Sequence, residues 1–87
     1  MLFMSIFTWN PENRDEVGNR RRTEKIPEGM KMIGEWVDIA GGRVFRLCEV
    51  ADPKVMLAES FAWNDLGYVE LIPVMETEEV MKLLPMG

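Results

Sequence analysis

Histidine is absent from the 87 residues. That absence removes His-based nucleophile triads, imidazole metal ligands and proximal-His haem ligation. Acid–base chemistry is left to carboxylates, Tyr68, Cys48 or a lysine. One cysteine, Cys48, permits no internal disulfide and no cysteine-type metal spacing, which fits a reducing, cytoplasmic setting. Neither G-x-G-x-x-G nor G-K-[ST] occurs, so the common phosphate loops are missing. Long hydrophobic runs are missing too. MLFMSIFTW at the N-terminus has no basic n-region or small-residue cleavage site and is far shorter than a membrane span. Basic residues are the minority, 10 against 15 acids, for a net charge of −5. That balance speaks against non-specific binding to nucleic acid or an anionic membrane.

What is present reads as one domain over residues 1–87. The apolar share of 47% is ordinary for a soluble globular chain. Residues 2–9 (LFMSIFTW), apolar on both sides, predict a strand covered on two faces. Asn10-Pro11-Glu12 opens a helix over about 11–25, with acids early and Arg20, Arg21, Arg22 and Lys25 late, as the helix dipole favours. Residues 30–38 and 43–51 alternate around Ala40-Gly41-Gly42 and predict a hairpin. Asp52-Pro53 opens a second helix over 53–65. Residues 68–75 (YVELIPVM) follow as a strand whose Pro73 cannot donate to a ladder, which places it at an edge or bulge. Thr77-Glu78-Glu79 caps a helix over 78–84. The order βαββαβ plus a tail helix is the ferredoxin-like α+β arrangement with a four-stranded antiparallel sheet.

Pairing Asp38 with Arg43 across the turn sorts the hairpin into two faces. One collects Asp38–Arg43, Trp36–Phe45, Gly34–Leu47 and Met32–Glu49. The other collects Val37–Val44, Glu35–Arg46, Ile33–Cys48 and Lys31–Val50. The first holds both large aromatics and is expected under the helices. There Asp38–Arg43 forms a rim ion pair, and Glu49 is a deep carboxylate that needs a partner or a raised pKa. Glu35–Arg46 is expected as a cross-strand ion pair on the wetter or subunit-facing side. The first helix has a thin apolar face. Val17 and Gly18 are flanked by Arg14 and Arg21, which leaves room for a cavity with arginines pointing in. On the second helix, Leu57, Ala58, Phe61 and Ala62 read as the main apolar face, with Met56 and Trp63 beside it.

W-V-D-x-x-G-x-R-x-F-x-L-x-E (Trp36 to Glu49) and W-x-D-L-x-x-x-E-x-x-P-V (Trp63 to Val74) together resemble a domain-of-unknown-function family of the dimeric α/β-barrel superfamily. The opening LFM and Pro27-Glu28-Gly29 extend the resemblance over nearly the whole chain. It implies a protomer whose sheet meets a second subunit's sheet, with a pocket between sheet and helices. Superfamily members include cofactor-independent monooxygenases, muconolactone isomerase-like enzymes, haem-degrading enzymes and stress-responsive barrel proteins. The missing histidine separates this chain from those that use a His base or haem ligand.

Two functions follow as expectations. The first is a homodimer that binds a small apolar or anionic organic molecule, with cofactor-free isomerisation or monooxygenation as its chemistry. Glu49 would be the acid/base, Arg21 or Arg43 the anion stabiliser, and Trp36, Phe45, Trp63 and Tyr68 the walls and mouth. The alternative is a non-catalytic oligomeric or metabolite-sensing module whose aromatic face is solid. An RNA-recognition role is disfavoured, because RVFRLCEV lacks the glycine-aromatic signature on a basic surface. Dimerisation has its own argument: two helices cover one face of a four-stranded sheet, and a second copy covers the other. The tail segment VMKLLPM (80–86) is the competitor for that face.

Overall fold

Leu2–Trp9 (β1), apolar on both sides, takes a central place in the sheet, as a strand without a solvent side should. The structure, a computed structural model, describes residues 1–85. A 3₁₀ turn over Pro11–Asn13 leads into a helix over Arg14–Thr23 (α1). The hairpin is Met30–Val37 (β2) and Arg43–Val50 (β3), followed by Lys54–Phe61 (α2), Gly67–Val74 (β4) and Thr77–Met81 (α3). The four strands form one antiparallel sheet in the order β2-β3-β1-β4, an α+β arrangement compatible with the ferredoxin-like fold. β4 lies at an edge, where Pro73 removes no ladder bond from a neighbour.

The helices are shorter than their sequence patterns suggest. Glu24 leaves the helix in an extended conformation (ψ 136°), three residues ahead of Pro27, which disfavours helical geometry at Ile26 and so bars any longer helix. Gly41 and Gly42 both hold positive φ (86° and 85°), so the turn between β2 and β3 needs residues without a Cβ. Gly67 is required for space. A Cβ there would collide with the Thr8 carbonyl and lie 2.7 Å from the Trp9 Cα, both backbone atoms of β1.

Two expectations about the hairpin are corrected. The register runs as expected from Val37↔Val44 to Gly34↔Leu47, then shifts at Ile33, so that Met32 faces Cys48 and Lys31 faces Glu49. The sheet also presents its other face to the helices. Val44, Arg46, Cys48 and Val50 of β3 point inward with Phe3, Phe7 and Met56. Trp36 is 55% exposed on the outer side. The physical reason is Arg46. Its guanidinium finds three carboxylates under the helices, and that satisfaction outweighs burying Trp36 and Phe45.

α2 is likewise turned. Met56 (2% exposed) and Trp63 (7%) go to the core, and Leu57 (52%) and Phe61 (65%) face outward. Two buried clusters result. Phe3, Met30, Cys48, Val50 and Met56 fill one end, and Phe7, Val17, Trp63 and Leu66 fill the other. α3 buries no residue, and Val80, Met81, Leu83 and Leu84 remain exposed. Among the described residues, the tail therefore does not cover the outer sheet face; Met86, its last apolar residue, lies outside them.

Candidate functional site

Between the two clusters, under α1 and α2, lies a cavity of about 300 Å³. Its floor is the inner face of β1, β3 and β4, including Ser5, Phe7, Val44, Cys48, Val69 and Leu71. α1 contributes Arg14, Val17, Gly18 and Arg21, residues three or four apart that share one helical face. Met56, Glu59, Ser60 and Trp63 form the matching stripe along α2 and the turn after it. Gly18 leaves open space where other residues would place a side chain, so this part of the α1 face does not fill the gap beside it.

One wall is an ion network centred on Arg46. Its two Nη atoms clasp Glu24 bidentately, with Nη1 donating to Oε2 at 2.8 Å, and its Nε donates to Glu35 Oε2 at 2.6 Å. Glu59 Oε1 stands 3.7 Å from Nη1 and accepts the Trp63 indole N–H at 3.3 Å. From α1, Arg21 donates to Glu35 at 2.9 Å and lies 3.7 Å from Glu24. The Arg46 guanidinium also lies 5.8 Å from the Trp63 ring centre, within cation–π range. Arg20, equally far from that ring, is held by Asp65 through two hydrogen bonds at 2.8 and 3.1 Å.

These neighbours split the three carboxylates. Burial works against ionisation of Glu24 and Glu35, yet the hydrogen bonds and charges of Arg46 and Arg21 hold both below the usual carboxylate range. Glu59 goes the other way. Burial first, and the neighbouring Glu24 carboxylate second, push it up to about 7. Burial also raises the Cys48 thiol, so it stays neutral and a poor nucleophile. Among the described residues no acidic or cysteine cluster is arranged to hold a metal ion. The wall is suited to orienting a polar group and to holding a proton at Glu59.

The residues singled out from the sequence divide between the faces. Arg21 and Trp63 line the cavity. Glu49 lies outside it, at the start of the sheet, where its Oε1 accepts a 2.9 Å hydrogen bond from the Met1 amino group. Arg43 pairs with Asp38 at 3.1 Å, as the cross-turn pairing implies, and its guanidinium lies 5.1 Å from the Phe45 ring centre. Phe45 and Trp36 pair on the outer face, and Tyr68 is exposed there opposite Thr8. Arg46, Glu24, Glu35 and Glu59 were missed as a site. The available signal was the 56-59-60-63 spacing, which puts Glu59 on one helical stripe with Met56 and Trp63.

No curated protein and no solved structure matches the chain. No helix among the described residues is long and apolar enough to cross a membrane. A family model described as Domain of unknown function (DUF3303) matches residues 1–87, from the first residue to the last, and the chain belongs to that family.

Proposed function

We propose that this protein binds a small, largely apolar organic molecule in the cavity between its sheet and helices, and that it does so as a homodimer. The observation that carries the reading is the cavity itself. At about 300 Å³ it reaches the size of small-ligand sites, and its apolar lining is broken by one organised polar wall. Arg21 and Trp63 belong to this site, as do Arg46 and Glu59. The chemistry that suits it is cofactor-free, an isomerisation, or a monooxygenation in which dioxygen is the oxidant and the organic substrate supplies the electrons, assisted by a carboxyl group.

Propylbenzene is the probe for the cavity. It is expected to perturb the NMR signals of Val17, Cys48, Met56 and Leu71 in a saturable manner. Gly18→Leu, which sends a side chain from α1 into the open space, is expected to weaken that binding at least about tenfold while α1 gains helix propensity. Saturable binding unaffected by Gly18→Leu, or no binding to the unmodified chain, would reject the cavity as the site.

The dimer reading rests on the uncovered outer face. Leu2, Met4 and Ile6 of β1, Phe45 and Leu47 of β3 and Ile72 of β4 are contiguous there and apolar, with the Trp36 ring lying across Gly34 beside them. A second copy supplies a cover of matching apolar character. Native mass spectrometry is expected to record a dimer, and Leu47→Asp is expected to leave mainly monomer. A monomeric wild-type protein would remove this part of the proposal without touching the cavity.

A further inference from the structure

Among the described residues, Glu59 is the one carboxylate of the cavity wall without a close guanidinium partner. Arg46 gives both Nη atoms to Glu24 and its Nε to Glu35, and Arg21 turns to Glu35 and Glu24. Glu59 is left with the Trp63 N–H and the longer 3.7 Å approach to Arg46. Three carboxylates thus face two guanidinium groups in a half-buried wall. The excess negative charge is relieved by binding one proton, and the carboxylate with the weakest cationic contact is where it goes. The other groups facing this point do not change the balance. Cys48 is a buried thiol, Ser5 and Ser60 are neutral, Arg14 stands at the mouth, and Arg20 is committed to Asp65.

We propose that Glu59 meets the bound molecule as a neutral carboxylic acid, donating its O–H to a carbonyl-type oxygen on an otherwise apolar ligand. This rests on the cavity reading above and adds the ligand's polar end. The neighbouring Glu24 carboxylate favours the proton on Glu59. Both oxygens of Glu24 are already served by Arg46, so turning the O–H toward a ligand oxygen leaves no carboxylate unpaired. A cationic ligand is the poorer match. The Trp63 ring already has Arg20 and Arg46 within 5.8 Å of its centre, which opposes a third positive charge beside it.

The test compares acetophenone, which carries the carbonyl, with propylbenzene, which lacks any acceptor, on the full chain by NMR titration. Acetophenone is expected to bind about tenfold more weakly at pH 8.5 than at about pH 5.5, the loss of one hydrogen bond, while propylbenzene changes less than about twofold. Glu59→Gln keeps a donor that cannot ionise, so acetophenone should bind it equally at both pH values. Acetophenone binding that ignores pH in the wild type, or keeps its pH dependence in Glu59→Gln, overturns the role of Glu59 alone, provided propylbenzene still binds. Tighter binding of 2-phenylethylamine than of acetophenone at neutral pH also overturns it. Failure of every probe to bind rejects the cavity reading together with this one.

Discussion

Arg46→Met is expected to cost about 3–5 kcal/mol of stability at about pH 7.5, the largest loss among single substitutions in this wall. The methionine retains much of the arginine stem's volume, so the loss reports charge rather than a void. It leaves Glu24, shielded from water, without its main partner, leaves Glu35 with Arg21 alone, and returns Glu59 to an environment of like charges. The deficit should depend on pH. Without Arg46, Glu24 and Glu59 ionise less readily in the folded chain than in the unfolded one, so the penalty grows as pH rises and shrinks toward about pH 4.5. The wild type behaves oppositely for Glu24 and Glu35. Their lowered folded values stabilise the protein above about pH 4.5, and that contribution is lost as pH falls through those values. Urea unfolding at two pH values and one fixed protein concentration measures both effects. A loss under about 1 kcal/mol at the higher pH would mean that water, rather than Arg46, satisfies the carboxylates.

Glu59→Gln is expected to stabilise the protein above about pH 8 by about 1–3 kcal/mol and to flatten its stability profile. The unfolded carboxyl titrates near 4.5 and the folded one near 7, so the native state binds more protons across that interval. Stability due to Glu59 is therefore complete below about pH 4.5, falls as pH rises, and levels off above the folded value. A displacement of that size corresponds to a ceiling of about 3 kcal/mol, which partial solvent access reduces. Because Glu24 and Glu35 act below about pH 4.5, the two windows separate, and a fall in stability between about pH 5 and 8 belongs to Glu59. Thermal or urea unfolding across that range, wild type against Glu59→Gln, is the measurement. Parallel profiles for the two proteins would show that Glu59 ionises normally and that the proton sits elsewhere.

The strands were legible because each is short, alternating or wholly apolar, and bounded by a turn residue or helix cap. β1 spans residues 2–9 as its apolar run predicts, and Pro73 pointed β4 to an edge or bulge, of which the edge is found. The cavity was also partly legible. Arg14, Gly18 and Arg21 lie on one face of α1, and a helix with so little apolar side chain cannot fill the space above a sheet. Which face of the sheet it stands over was not legible. The two hairpin faces are close in apolar content, so counting hydrophobic residues favoured Trp36 and Phe45.

Local sequence therefore determined the elements, their order and the thin face of α1, because capping, alternation and proline act within a few residues. Only the tertiary structure decided that Arg46 turns inward, that Glu49 stays at the margin with the Met1 amino group, and that Glu59 becomes the acid of the cavity. Arg46 is satisfied by Glu24, 22 residues before it, and by Glu35 on the neighbouring strand, 11 before it. A buried charge is tolerable only when such distant partners arrive together, and no window along the chain contains that condition.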